Sequence, residues 1–122
     1  ESYCDQRHGS TVGMYESTAE AEYVPYVRPQ EHGNHVDVRM LSIGKLLFES
    51  DNPFSCNVSA FSTEAIDRAE HTDELLCDNK THLRVDYKVS GIGSASCGPE
   101  LMEKYRLSER NITFAFTVSP IG

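Results

Sequence analysis

Apolar residues recur at every second position in four stretches of the chain. In FSCNVSA, Phe54, Cys56, Val58 and Ala60 fall on one face and Ser55, Asn57 and Ser59 on the other. HLRVDYKV puts Leu83, Val85, Tyr87 and Val89 inward and Arg84, Asp86 and Lys88 outward. NITFAFTVS puts Ile112, Phe114, Phe116 and Val118 inward, and HVDVRML does the same with Val36, Val38 and Met40. A period of two is the pleat of a strand, and polar residues at the alternate positions predict an antiparallel sheet with one buried and one wetter face.

A helical period appears only in short pieces. FSTEAIDRAEH predicts a helix over 63–70, with Ser62 as the N-cap and Phe61 and Ile66 placed for a hydrophobic staple. A second short helix is expected from Pro99 to about Tyr105, because proline suits the first helical turn. PYVRPQEHGNH and CDNKTH carry the Pro, Gly, Asn and Asp of turns and loops. The fold class is all-β with one or two small helices, most simply a two-sheet antiparallel β-sandwich.

A chain of 122 residues can bury roughly two thirds of its unfolded surface, enough for a real core. Its net charge of −8 argues against nucleic acid and against anionic membrane surfaces, both of which call for clustered Lys and Arg. The start, ESYCDQ, has neither an initiator Met nor a signal-like stretch, and the chain reads as a fragment of something longer. Cys4, Cys56, Cys77 and Cys97 show no C-x-x-C and no zinc spacing, so a metal site is not expected. Their scatter through a well-patterned chain favours thiols in a reducing, cytoplasmic setting over two disulfides. Three N-x-[ST] sequons, at Asn57, Asn79 and Asn111, carry little weight without a secretory signal.

Candidate chemistry is sparse. A glycosidase needs two carboxylates held roughly 5 to 10 Å apart, and nothing pairs any two of the nineteen acids here. His32 and His35 flank Gly33 and Asn34 on a turn, where loop hydrogen bonding is a better expectation than a metal pair. No G-x-S-x-G elbow or phosphate-cradling loop is present. The absence of Trp weakens the reading of an independent sugar-binding module, which needs ring faces. Two stretches stand out. YVPYVRPQEHGNH is a loop with large polar and aromatic side chains, and SGIGSASCGPELMEKYRL sets Cys97 among small residues.

YVPYVRPQEHGNHVDVRML, followed about fifty residues later by GIGSASCGPELMEKYRL, resembles the C-terminal β-sandwich domain of the long family 2 glycoside hydrolases, the β-galactosidases. ESYCD is similar to that domain's E-[SN]-Y-x-D segment, and FSCNVSAFSTEAIDRAEHTDEL to the strand and short helix between the two motifs. The resemblance runs in order from Glu1 to about Val118 and makes residues 1–122 the C-terminal part of that sandwich. It implies that the catalytic glutamates lie outside the chain, in a TIM barrel of the same parent, which hydrolyses terminal β-galactosides with retention. It implies no catalytic residue and no cofactor in this piece, admits Mg2+ in the parent's catalytic domain, and makes the parent a homo-oligomer. The implied partners are that barrel and the galactoside substrate. In the family a late loop of this domain reaches the aglycone side of the pocket, where members of the bacterial lac type carry a platform Trp. Cys97 stands at about that place and is the one substrate-binding residue the resemblance implies; a thiol there offers no ring to stack on. The alternative is a carbohydrate-binding or structural interaction module without a catalytic role.

Overall fold

The computed structural model describes residues 11–24, 33–89 and 97–122. They form a four-stranded antiparallel sheet: β1 (His35–Ile43), β2 (Leu46–Ser59), β3 (His82–Asp86) and β4 (Thr117–Pro120). One helix, α1 (Thr63–Arg68), follows β2, and single 3-10 turns lie at Thr72–Glu74 and Glu103–Tyr105. The all-β class is therefore what the structure shows. All the described strands belong to one sheet, and the second layer of a sandwich has no strand among the described residues.

β2 is the central strand. β1 pairs with it from Ile43↔Leu46 to His35↔Cys56. On its other edge β4 takes Leu46–Glu49 and β3 takes Ser55–Ser59. A two-residue turn joins β1 to β2, with Gly44 first at φ +57, a value that suits a hairpin turn of the II′ kind and that side chains resist. The Lys45 carbonyl accepts a bond from the Ile121 amide at 2.8 Å, which ties the last residues to the hairpin tip.

Between Val38↔Phe54 and Met40↔Glu49 the register slips, because five steps along β2 match two along β1. Pro53 sits in this interruption, the one part of a central strand where a missing N–H breaks no ladder. Ser50 organises the extra residues: its hydroxyl donates to the Ala115 carbonyl at 2.8 Å and accepts from the Asn52 amide at 3.3 Å. A second irregularity, between His35 and Val38, holds Asp37 at φ 56. The two slips change the phase of the β1 alternation. Val36 and Val38 are half-buried as expected, but Met40 is exposed and Leu41 packs on the core in its place.

The core is Phe48, Phe54 and Cys56, with Val38, Leu41, Leu83, Val85 and Phe114 packed against it. Phe54 and Cys56 are 1% and 2% exposed. Leu83 and Val85 take the inward side of β3 as predicted, and Arg84 and Asp86 pair at 2.8 Å on the other. Two expectations need correcting. Ser55 and Asn57, assigned to a wet face, are buried, and the backbone at Gly33 lies against the Asn57 side chain. Gly33, at φ +70, is pressed between the Glu22 carbonyl and the Asn57 side chain; a Cβ would stand 3.2 and 3.7 Å from them. The inward set of the last strand is the second correction. Val118 lies opposite Phe48, and the Phe116 ring centres 6.3 Å from that of Phe48, so the face is right. Phe116, Val118 and Ile112 are nevertheless exposed, and only Phe114 is half-buried. Alternation fixes which side a residue takes, but burial needs a second layer on that side.

Ser62 caps α1 as predicted, accepting from the Ala65 amide at 3.1 Å. The helix ends at Arg68, two residues short of the expectation, and the Phe61 ring meets Tyr23 edge-on at 5.4 Å. The segment 11–24 is thus held at Tyr23 and again one residue earlier. His35 Nε2 donates to Glu22 Oε2 at 2.7 Å. Burial pushes the Glu22 carboxyl up, but hydrogen bonds from Ser17 and His35 and the His35 charge outweigh it, so it lies below its ordinary 4.5.

Two measurements check these assignments. Phe54→Ala should cost about 3 to 5 kcal/mol in a urea melt, and Phe116→Ala about 1 kcal/mol, because only the first leaves a closed cavity. Equal losses would overturn the assignment of the core. The depressed native pKa of Glu22 makes its contribution complete above 4.5 and lost as pH falls through the lower native value. Glu22→Gln should therefore cost about 1 kcal/mol at neutral pH, and the gap from the parent should close on acidification. A gap that widens in acid would show that the carboxylate does not hold the segment.

Candidate functional site

The loop that carries Cys97 begins where β3 loses its partner. The last rung of the β2–β3 ladder is Ser55↔Asp86, beyond which Tyr87–Val89 leave the sheet. Residues 90–96 lie outside the described residues, and the chain is described again from Cys97. Cys97 is exposed, and a Cβ on the adjacent Gly98 would meet nothing within 4 Å. The predicted helix from Pro99 is not formed: Met102 has ψ 143 and only Glu103–Tyr105 turn as a 3-10 helix. Seven residues from a proline are too few to nucleate an α-helix without a face to bury.

Both stems of this loop line one depression of about 500 Å3, with Phe54 also in its wall. Tyr87 and Lys88 come from the outgoing stem, Lys104, Tyr105 and Arg106 from the returning one. Lys88 Nζ lies 4.9 Å from the Tyr87 ring centre and donates to Glu109 Oε1 at 2.6 Å, joining the two stems. That bond, then Tyr87, raises the Lys88 pKa, and the same bond first of all lowers that of Glu109. Arg106 donates from Nε to the Leu101 carbonyl and from Nη2 to Glu100 Oε2, both at 2.6 Å. Lys104 Nζ sits 4.6 Å over the Tyr105 ring. Each cation is already engaged, so the depression offers aromatic edges and fixed donors, with no carboxylate pair among the groups that line it. It has the chemistry of a contact surface held at the base of a loop.

The other sequence candidates separate in space. His35 is bonded to Glu22, in keeping with loop hydrogen bonding, and its expected companion His32 lies outside the described residues, as does most of the YVPYVRPQEHGNH loop. Among the described residues no group of three or more His, Cys, Asp or Glu could hold a metal ion. Cys56, Cys77 and Cys97 are free thiols. Burial, then the charges of Glu22 and Asp86, pushes the Cys56 thiol up to about 11, so it stays protonated at neutral pH and is no nucleophile. Sequence reading missed Lys88, Lys104 and Arg106 as a group. Their signal was faint, because three cations spaced over nineteen residues converge only when the loop closes.

Comparison with known proteins bears on this arrangement as a whole. The family model described as beta galactosidase small chain matches residues 1–118. A beta-galactosidase of Actinobacillus pleuropneumoniae is 40% identical over 116 residues, covering 95% of this chain and 12% of that protein. One of Staphylococcus xylosus is 37% identical over 121 residues, covering 96% and 12%. One of Kluyveromyces lactis is 34% identical over 125 residues, covering 98% and 12%. The chain thus spans about 12% of the length of these curated relatives. A match that takes in the strands, the helix and both stems of the Cys97 loop settles its kinship: the chain belongs to the beta-galactosidase small chain family.

Proposed function

We propose that the chain is a domain of a β-galactosidase that hydrolyses terminal β-D-galactosides, and that it supports the catalytic domain and lends a loop to the aglycone side of the pocket. The observation that carries the reading is the family match over residues 1–118, together with relatives that bear that name and are about eight times longer. In this reading the two carboxylates of a retaining mechanism, and any Mg2+, belong to a barrel elsewhere in the parent. The open row of Leu46, Phe116 and Val118 fits a sandwich whose other part lies outside these residues. An oligomeric parent is part of the same reading.

Cys97 is the loop side chain assigned to the substrate. Its exposure, and the pinning of the returning stem by Arg106 and Lys88, suit a short contact presented from a fixed base. A thiol can pack against a sugar edge as a small apolar group, but cannot stack on one. Such a contact is equal in ground and transition states, so its loss raises KM and leaves kcat nearly unchanged.

The test is steady-state kinetics of the full-length enzyme on lactose and on an aryl galactoside. Cys97→Ala should raise KM several-fold, the equivalent of about 1 kcal/mol for one small buried group. Cys97→Trp should shift the preference between the two leaving groups. If both variants match the parent on both substrates, the loop does not touch substrate. The 122-residue chain alone should show no turnover above buffer, since its acids include no assigned pair; turnover abolished by mutating one of them would reverse that assignment.

A further inference from the structure

The segment 11–24 carries an apolar tip that the sheet does not use. Val12 is 99%, Met14 90% and Tyr15 70% exposed, three large apolar residues within four positions. Isolated exposed apolar residues are ordinary, but a cluster of them on one small turn marks a contact surface.

This tip has a defined shape. The Tyr15 hydroxyl donates to the Thr11 carbonyl at 2.5 Å and stands 3.2 Å from Thr11 Oγ1, closing a five-residue loop. A Cβ on Gly13 would lie 3.6 Å from the Tyr15 ring, so the glycine backs onto it. Further along, the Glu22 amide donates to the Thr18 carbonyl, and the Ala21 amide to Thr18 Oγ1. Glu22 and Tyr23 then anchor the segment through His35 and Phe61. A turn held this way loses little freedom on docking.

Its charge narrows the partner. Residues 11–24 contain Glu16, Glu20 and Glu22 and no Lys or Arg. Glu22 is bonded to His35, whereas Glu16, next in sequence to the tip, and Glu20 are exposed. A twofold contact between copies would set these acids against themselves, on a chain whose net charge is already −8. We infer that the Val12–Tyr15 turn docks into an apolar hollow with a basic rim on the part of the same polypeptide outside these 122 residues. The inference rests on the reading that the chain is a domain of a longer protein, like the relatives of which it spans 12%.

Photo-cross-linking in the full-length protein tests it. A benzophenone-bearing phenylalanine is placed at Met14 or, separately, at Val12, with the exposed Lys80 position as the control. The expected product is an intrachain cross-link to a peptide outside residues 1–122, several-fold above the yield from Lys80, and reduced by Glu16→Lys together with Glu20→Lys. Cross-links only to a second copy, cross-links only within residues 1–122, or yields no higher than at Lys80 from both positions would each overturn the docking. Galactoside turnover is measured on the same samples. Cross-linking without turnover would sink the enzymatic reading and leave the docking standing, and turnover without cross-linking would do the reverse.

Discussion

Everything in this fold depends on β2 being hydrogen-bonded along both edges. β1 occupies one edge, and β3 and β4 divide the other between them. Where both edges are paired the strand has no free ladder to offer water, and its burial concentrates at Phe54–Asn57, between β1 and β3. Phe54 and Cys56 are the two most enclosed side chains there, and the polar Ser55 and Asn57 that alternate with them are buried too. Where pairing lapses, around residues 50–53, the strand accommodates Pro53 and a serine that bonds across to the chain entering β4.

The division of that second edge also sets where the excursion that carries Cys97 starts. β3 can follow β2 only as far as Ser55, so its chain peels off at Asp86 and returns some thirty residues later as β4, on the other side of the interruption. Lys88–Glu109 ties the two stems of that excursion together, and Arg106 folds the returning stem on itself through Glu100 and the Leu101 carbonyl. Pairs this exposed add little to global stability. Their effect is local: they order the two stems that bracket Cys97.

Among the described residues, two of the open apolar surfaces differ in kind. The row of Leu46, Phe116 and Val118 is the uncovered side of a sheet and continues the core. The Val12–Tyr15 turn is separate from the core and closed by its own hydrogen bonds. An incomplete layer and a preformed tip suit a domain that works inside a larger protein, in line with a family whose named members are far longer than this chain.

The sequence by itself determined the elements whose signal is local. Period-two runs located β1, β3 and the second half of β2, although NITFAFTVS is strand only from Thr117; Ser62 announced the cap of α1, and long motifs in order identified the family, because each depends on neighbours along the chain. Tertiary structure decided which faces are dry. The β1 alternation changes phase at Met40 because β2 carries extra residues opposite it, and no pattern within β1 records what its partner does. Phe116 and Val118 look as buried in sequence as Leu83 and Val85, but pairing alone does not cover a face. The loop stems divide in the same way. The stretch around Cys97 was marked in sequence by its small residues, whereas the convergence of Tyr87, Lys88, Tyr105 and Arg106 at one depression is a long-range contact that local spacing does not encode.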